Sequence, residues 1–153
     1  MNTLNTKTLV EKALNSVKLA VLATEHDGQP HTSLIAITPF ENLRQIIFAT
    51  YRNTLKYRNI SHNNKVAVLI ESEGGKRKVL QKSIFLTIIG HAEEISTDEN
   101  EAAYQAHLKR HPEMESFMLS SDCALIRVIA QSYQIVKGVD DIRWITTDEL
   151  NSV

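Results

Sequence analysis

One short stretch holds the residues with most chemical content: Phe48-Ala49-Thr50-Tyr51-Arg52-Asn53-Thr54-Leu55-Lys56-Tyr57-Arg58-Asn59-Ile60. It sets the end of an apolar strand, the hydroxyls of Thr50 and Thr54, and the cations Arg52 and Lys56 around the start of a short helix that Asn53 could cap. Free N–H groups and the positive end of the dipole make a helix start an anion site. A lysine in the first turn opposes that dipole unless an anion lies there as well, so the pattern points to a phosphate. A solvated lysine beside a capped helix would use the same residue types, and the surrounding sequence has to decide between the two.

Other candidates carry less. His107 and His111 stand four apart on an expected helix, but Leu108 occupies the place of the glutamate in an H-E-x-x-H motif and no third ligand follows, so no metal site is expected. Cys123 opens an apolar strand and reads as a small buried hydrophobe. Ser33 lacks the G-x-S-x-G setting of a hydrolase nucleophile. Trp144, the single tryptophan, reads first as core, with the edge of a ligand bound across a subunit boundary as the sharper alternative. Lys76-Arg77-Lys78 reads as a solvated loop that could fringe a pocket and attract phosphorylated molecules.

The chain must position these residues with one core. It has 153 residues, 42% hydrophobic and 23% charged, with a formal net charge of −1, which describes a single globular domain over 1–153. No apolar run approaches the roughly 20 residues of a bilayer span, so no membrane association is expected. Residues 1–8 lack the charged and apolar regions of a secretory signal, and a cytoplasmic location is expected. A lone cysteine can form no internal disulfide. Charge is unevenly spread: residues 44–82 carry a net +7 and residues 93–122 a net −6. A basic segment inside a neutral chain suggests an anionic small molecule, and the few aromatic platforms among those cations argue against nucleic acid.

Helical spacing over residues 4–17 predicts a first amphipathic helix. Strands are expected at 19–24 and 32–40, joined through Asp27-Gly28 as a hairpin, then at 45–50 after a turn at 41–43, and at 65–71. Residues 83–95 read as a long strand with a bulge at Gly90, residues 98–110 as a helix, and Pro112 as the start of a short helical piece. Strands follow at 123–130 and 133–136, with 142–146 extending the latter beyond Gly138. The runs at 34–37, 46–49, 66–70 and 84–89 are apolar at nearly every position, so both of their faces need cover. Short helices are too few to supply it. The expected fold is therefore mainly β: an antiparallel, Greek-key-like barrel whose outer wall is a subunit interface.

The pieces Ala20-Val21-Leu22-Ala23-Thr24, Asp27-Gly28-Gln29-Pro30-His31-Thr32-Ser33, Phe48-Ala49-Thr50, Thr54-Leu55-Lys56, Asn59-Ile60, Asn64-Lys65-Val66-Ala67-Val68-Leu69 and Gly90-His91-Ala92 occur in that order over the first 95 residues. Together they resemble the FMN-binding split-barrel proteins of the pyridoxamine 5′-phosphate oxidase-like superfamily. The resemblance implies a homodimer with FMN between subunits. By position, Ser33, Leu34, Ile35 and Ala36 would line the isoalloxazine, Ala49 and Thr50 would meet it from the next strand, and Thr54, Leu55 and Lys56 would approach the phosphate, with Arg52 nearby. The true oxidase is longer, with a C-terminal arginine- and histidine-containing segment for the substrate phosphate, whereas this chain ends in Arg143-Trp144-Ile145-Thr146-Thr147-Asp148-Glu149-Leu150-Asn151-Ser152-Val153, so oxidation of pyridoxamine phosphate is not expected. The expected function is an FMN-dependent oxidoreductase acting on a small molecule, with a nicotinamide as possible reductant. The alternative is a flavin-binding module without turnover, for sensing or electron transfer. Haem or a deazaflavin could replace FMN within the same superfamily.

Overall fold

Asp27 and Gly28 both take positive φ, 50° and 81°, the geometry of a two-residue type I′ hairpin turn. They join β1 (Leu19–His26) to β2 (Gln29–Ala36) in an uninterrupted antiparallel register. The computed structural model describes residues 3–72, 83–138 and 140–152, and the Lys76-Arg77-Lys78 loop lies outside them. The remaining elements are α1 (Thr3–Ser16), β3 (Thr38–Phe40), β4 (Gln45–Tyr51), α2 (Leu55–His62), β5 (Lys65–Ser72), β6 (Ile84–Ile95), α3 (Glu101–Arg110), a 3₁₀ turn (Pro112–Met114), α4 (Glu115–Met118), β7 (Cys123–Lys137), β8 (Asp141–Thr146) and α5 (Thr147–Leu150). No helix among the described residues is long and apolar enough to cross a membrane.

All strand pairs are antiparallel, in the order β2-β1-β5-β6-β7-β4-β3, with β8 added to β7. β2 and β3 lie at opposite ends of this order, yet only Ile37 separates them in the chain. A single residue spans less than about 4 Å. The sheet must therefore curl until its two edges meet, and because those edges share no ladder the barrel stays open along one seam. This is a split β-barrel.

Inward side chains fill it: Leu22, Ile35, Ile37, Phe48, Val68, Leu86, Ile88, Ile126, Val128 and Tyr133 belong to one buried cluster, to which α1 adds Val10, Ala13 and Leu14. A second cluster lies outside the wall, where Ile47, Ile95 and Leu125 meet Ala103 of α3 and Met118 of α4. Among the described strands β4 and β7 each have three successive buried residues, Ile46, Ile47 and Phe48 in one and Ala124, Leu125 and Ile126 in the other, because α3 and α4 cover their outer face there. Elsewhere the apolar runs alternate. β5, read as covered on both sides, leaves Leu69 exposed between buried Val68 and Ile70. The register aligns Leu34, Val21, Leu69, Thr87, Gln134 and Trp144 across five neighbouring pairings, and Leu34, Leu69 and Trp144 are 64%, 44% and 60% exposed. Trp144 is thus on the outer wall and not in the core.

Several boundaries differ from the sequence reading, first the run at 32–40, which is not one strand but breaks at Ile37 into β2 and β3. Thr54, not Asn53, caps α2, its hydroxyl accepting from the Tyr57 N–H at 3.3 Å. The segments at 123–130 and 133–136 are one strand, β7, and β8 does not extend it but folds back beside it after Gly138, whose φ is 69°. The turn at 41–43 is present, but Glu41, Asn42 and Leu43 all take positive φ, at about 1–2 kcal/mol each for such residues. Burial of Leu43 and a 2.5 Å hydrogen bond from the Tyr133 hydroxyl to its carbonyl hold the turn.

The register of β6 against β7 shifts between Ile89 and Gly90, as the bulge expectation requires. A Cβ on Gly90 would stand 2.1 Å from the Ile129 carbonyl oxygen, a backbone atom that has no room to retreat. Gly90→Ala should therefore lower the unfolding free energy by about 3 kcal/mol, read as a reduced urea midpoint with an unchanged slope.

Candidate functional site

The open seam forms a cleft of about 250 Å³. Leu34, Ile35 and Ala36 of β2 form one side, Ala49, Thr50 and Tyr51 of β4 the other; Thr54 and Lys56 stand at the start of α2, and Met114 and Phe117 close the outer end. Seven of the residues expected from sequence meet here: Leu34, Ile35, Ala36, Ala49, Thr50, Thr54 and Lys56. Among the described residues β2 pairs only with β1, and its seam-side edge has no ladder partner there.

The polar end is organised by two hydroxyls and one cation. Thr54 donates to the Tyr51 carbonyl at 2.9 Å while it caps α2, and its oxygen lies 3.3 Å from that of Thr50. Lys56 is half-buried, and loss of solvent pulls its ammonium below the ordinary lysine range. Among the described residues it forms no ion pair. A desolvated cation without an anionic partner, placed at a helix start, is the arrangement that a phosphate would satisfy.

Four expected residues are placed elsewhere. Arg52 turns to Glu94 on β6, with Nη2 to Oε2 at 2.7 Å, and donates from Nη1 to the Ser121 carbonyl at 3.0 Å. Ser33 shares the inward face of β2 with Ile35, and its hydroxyl oxygen is buried without a partner. Leu55 opens α2 with its side chain exposed, and Trp144 is on the outer wall. The sequence reading also missed three lining residues, Tyr51, Met114 and Phe117. The Tyr51 and Phe117 rings lie 4.3 Å apart. Met114 and Phe117 share a helical spacing, but nothing local connects that segment to β2 or β4.

α3 fixes the seam from behind. His111 Nε2 meets the Ile37 carbonyl at 2.7 Å and so donates to it, while Arg110 Nε donates to the same oxygen at 3.1 Å. Arg110 Nη2 reaches the carbonyls of Leu14, at 3.1 Å, and Val17, which closes the end of α1. His107 Nδ1 is 2.8 Å from the Thr38 hydroxyl. Both histidines are buried, contrary to the solvated helix face that the sequence suggested, and their rings lie 4.8 Å apart. No group of three or more His, Cys, Asp or Glu that could hold a metal occurs among the described residues.

The profile of the pyridoxamine 5′-phosphate oxidase family matches residues 6–136. The chain belongs to this family. It is 38% identical over 69 residues to a pyridoxamine 5′-phosphate oxidase homolog of Schizosaccharomyces pombe, a match covering 40% of this chain and 36% of that relative. Among solved structures it is similar to a heme binding protein from Mycobacterium smegmatis, with a TM-score of 0.83 and 21% identity over 97% of this chain and 59% of that one. It is also similar to a protein from Clostridium acetobutylicum related to general stress protein 26 of the pyridoxinephosphate oxidase family, with a TM-score of 0.74 and 12% identity over 98% of this chain and 99% of that one. The chain thus spans well under two thirds of the first two relatives, and the structural likenesses establish the fold alone.

Within this family member, the seam clamp makes stability depend on pH. Burial first, then His111 and Arg110, push the His107 imidazole down to about 4. The unfolded chain, with an ordinary histidine near 6.5, takes up the proton first as pH falls. Stability from this group is therefore complete above about pH 6.5 and drains away between 6.5 and 4. Between pH 7 and pH 5 the wild type should lose about 2 kcal/mol more than His107→Leu, measured by urea unfolding at both values.

Proposed function

We propose that the seam cleft binds flavin mononucleotide, that two copies of the chain complete the site, and that the dimer is an oxidoreductase acting on a small molecule, reduced by a nicotinamide. The carrying observation is Lys56: a half-buried cation with no ion pair among the described residues, beside the hydroxyls of Thr50 and Thr54 at the start of α2. Family membership supports a flavin as the bearer of the phosphate. The free edge of β2 supports it too, since alternating N–H and C=O groups of a strand edge suit the alternating acceptors and donors of a flavin's pyrimidine edge.

In this arrangement Lys56 and the capped helix start hold the phosphate, Leu34 to Ala36 receive the ring, and Met114, Phe117 and Tyr51 keep water from its outer side. When bound, the flavin supplies hydride or single-electron transfer, and the protein supplies position and electrostatics. Pyridoxamine 5′-phosphate fits poorly as the substrate. Lys56 is the one cation lining the cleft among the described residues, and the cofactor phosphate would occupy it.

Two features support the second copy. The cleft, at about 250 Å³, falls below the roughly 300–1,000 Å³ of sites that enclose a small molecule. The outer wall also exposes Leu19, Leu34, Leu69, Ile142 and Trp144, a patch that a second copy would cover.

Haem is the second reading. The Mycobacterium smegmatis neighbour is a heme binding protein, and Met114 and Tyr51, two residue types able to ligate haem iron, line this cleft. The absorption spectrum of the purified protein separates the two readings, since flavin gives paired near-ultraviolet and visible bands and haem a single intense Soret band.

Two outcomes are expected. Lys56→Ala should weaken FMN binding roughly ten- to a hundredfold in a fluorescence titration and leave riboflavin, which has no phosphate, nearly unaffected. Light scattering at micromolar concentration should give twice the chain's mass, and a monodisperse monomer would remove the shared site.

A further inference from the structure

We infer that Arg52, Glu94 and Tyr57 form a strut that sets the geometry of the phosphate end of the cleft, with Arg52 a positioning residue and not a phosphate ligand; the inference rests on the phosphate reading of Lys56. The three side chains join elements that are distant in sequence. Arg52 grips Glu94 with two nitrogens, Nε to Oε1 at 3.4 Å and Nη2 to Oε2 at 2.7 Å, and Tyr57 donates its hydroxyl to Oε1 at 2.5 Å. Arg52 also donates Nη1 to the Ser121 carbonyl, and its own N–H to the Asp122 carbonyl at 2.9 Å. The end of β4, the first turn of α2, the end of β6 and the approach to β7 are tied at one point.

Tyr57 is the residue whose N–H the Thr54 hydroxyl caps, and Lys56 precedes it. Holding the Tyr57 ring therefore fixes the rotation of the first turn of α2 and with it the direction of Lys56. Each guanidinium nitrogen of Arg52 and its amide is already engaged, by the carboxylate and two carbonyls. Global stability is not the purpose. Arg52 and Glu94 are each more than a third exposed as side chains, and pairs of that kind contribute little to folding. What the cluster supplies is orientation, because a two-point guanidinium–carboxylate contact fixes direction as well as distance.

Charge alone and positioning predict opposite signs. If only charge mattered, removing the Glu94 carboxylate near an anion site would tighten FMN. If the strut positions Lys56, Glu94→Gln weakens it. We expect Arg52→Ala and Glu94→Gln each to weaken FMN about tenfold while riboflavin stays within about twofold, and the double variant to bind no more weakly than either single one. The reversed pair Arg52→Glu with Glu94→Arg should recover most of the affinity. FMN binding that tightens or holds in Glu94→Gln, or that falls additively in the double variant, overturns the strut.

A readout independent of FMN separates this from the parent reading. Amide exchange at Tyr57 in the full chain should speed up in Arg52→Ala and Glu94→Gln. If Lys56→Ala binds FMN like wild type while the Tyr57 amide still responds, the phosphate reading fails and the strut on α2 stands. Unchanged Tyr57 exchange overturns the strut whatever FMN does.

Discussion

The structure depends on one covalent constraint: a single residue, Ile37, carries the chain from one edge strand of the sheet to the other. A sheet of this order could otherwise remain open and twisted. With its ends joined by one residue it has to roll, and the inward side chains then close over a common core. Both backbone polar groups of Ile37 have partners. The Ile37 N–H donates to the Lys18 carbonyl at 2.9 Å, its carbonyl accepts from His111 and Arg110, and the next residue, Thr38, meets His107. A buried backbone crossing without such partners would cost far more than it could hold. The last turn of α3 and its C-cap supply these partners: Arg110 and His111 at the Ile37 carbonyl and His107 at Thr38.

The same constraint makes the site. Edges brought together by a covalent link need not share a ladder, and here they do not, so strand edge remains unpaired at the mouth of the barrel. Such an edge is a liability in a free monomer. Under the proposed reading, a planar ligand or a second subunit would cover it. The cleft and the exposed outer wall are thus two results of one topology, and Leu34 takes part in both.

What the sequence disclosed follows from what is local. The Asp27-Gly28 turn, the bulge at Gly90 and the short helix after β4 each depend on a few adjacent residues, and each could be placed before any contact was known. The polar end of the cleft was legible for the same reason, because Thr50, Thr54 and Lys56 belong to one turn of chain. Partnerships across the barrel were not legible. Nothing near Arg52 announces Glu94, and nothing near Phe117 announces Tyr51. Apolar runs misled in a different way. Residues 66–70 look two-sided, yet only one face meets the core, since an exposed Leu69 and a buried one have the same sequence signature until the strand's neighbours are known. Trp144 was misplaced by the same ambiguity.

Under the proposed reading, a slot for a planar molecule and a preference for one such molecule would have separate physical sources. The slot comes from topology, and structures at 12% and 21% identity share that topology with TM-scores of 0.74 and 0.83. Shape and apolar lining of this kind discriminate weakly between flat ligands, because burial is nondirectional. Preference has to come from the few groups that are directional or charged. In this chain the charged end is the capped start of α2 with the two hydroxyls and Lys56, and the directional groups along the flat part are those of the free β2 edge. A ligand with its charge at one end and its flat body at the other satisfies both halves together. One with two separated acidic groups would leave at least one of them unmatched by any lining cation among the described residues. Under the proposed reading, that asymmetry is what would favour a flavin phosphate over a porphyrin with paired carboxylates, and it arises from the placement of a single lysine.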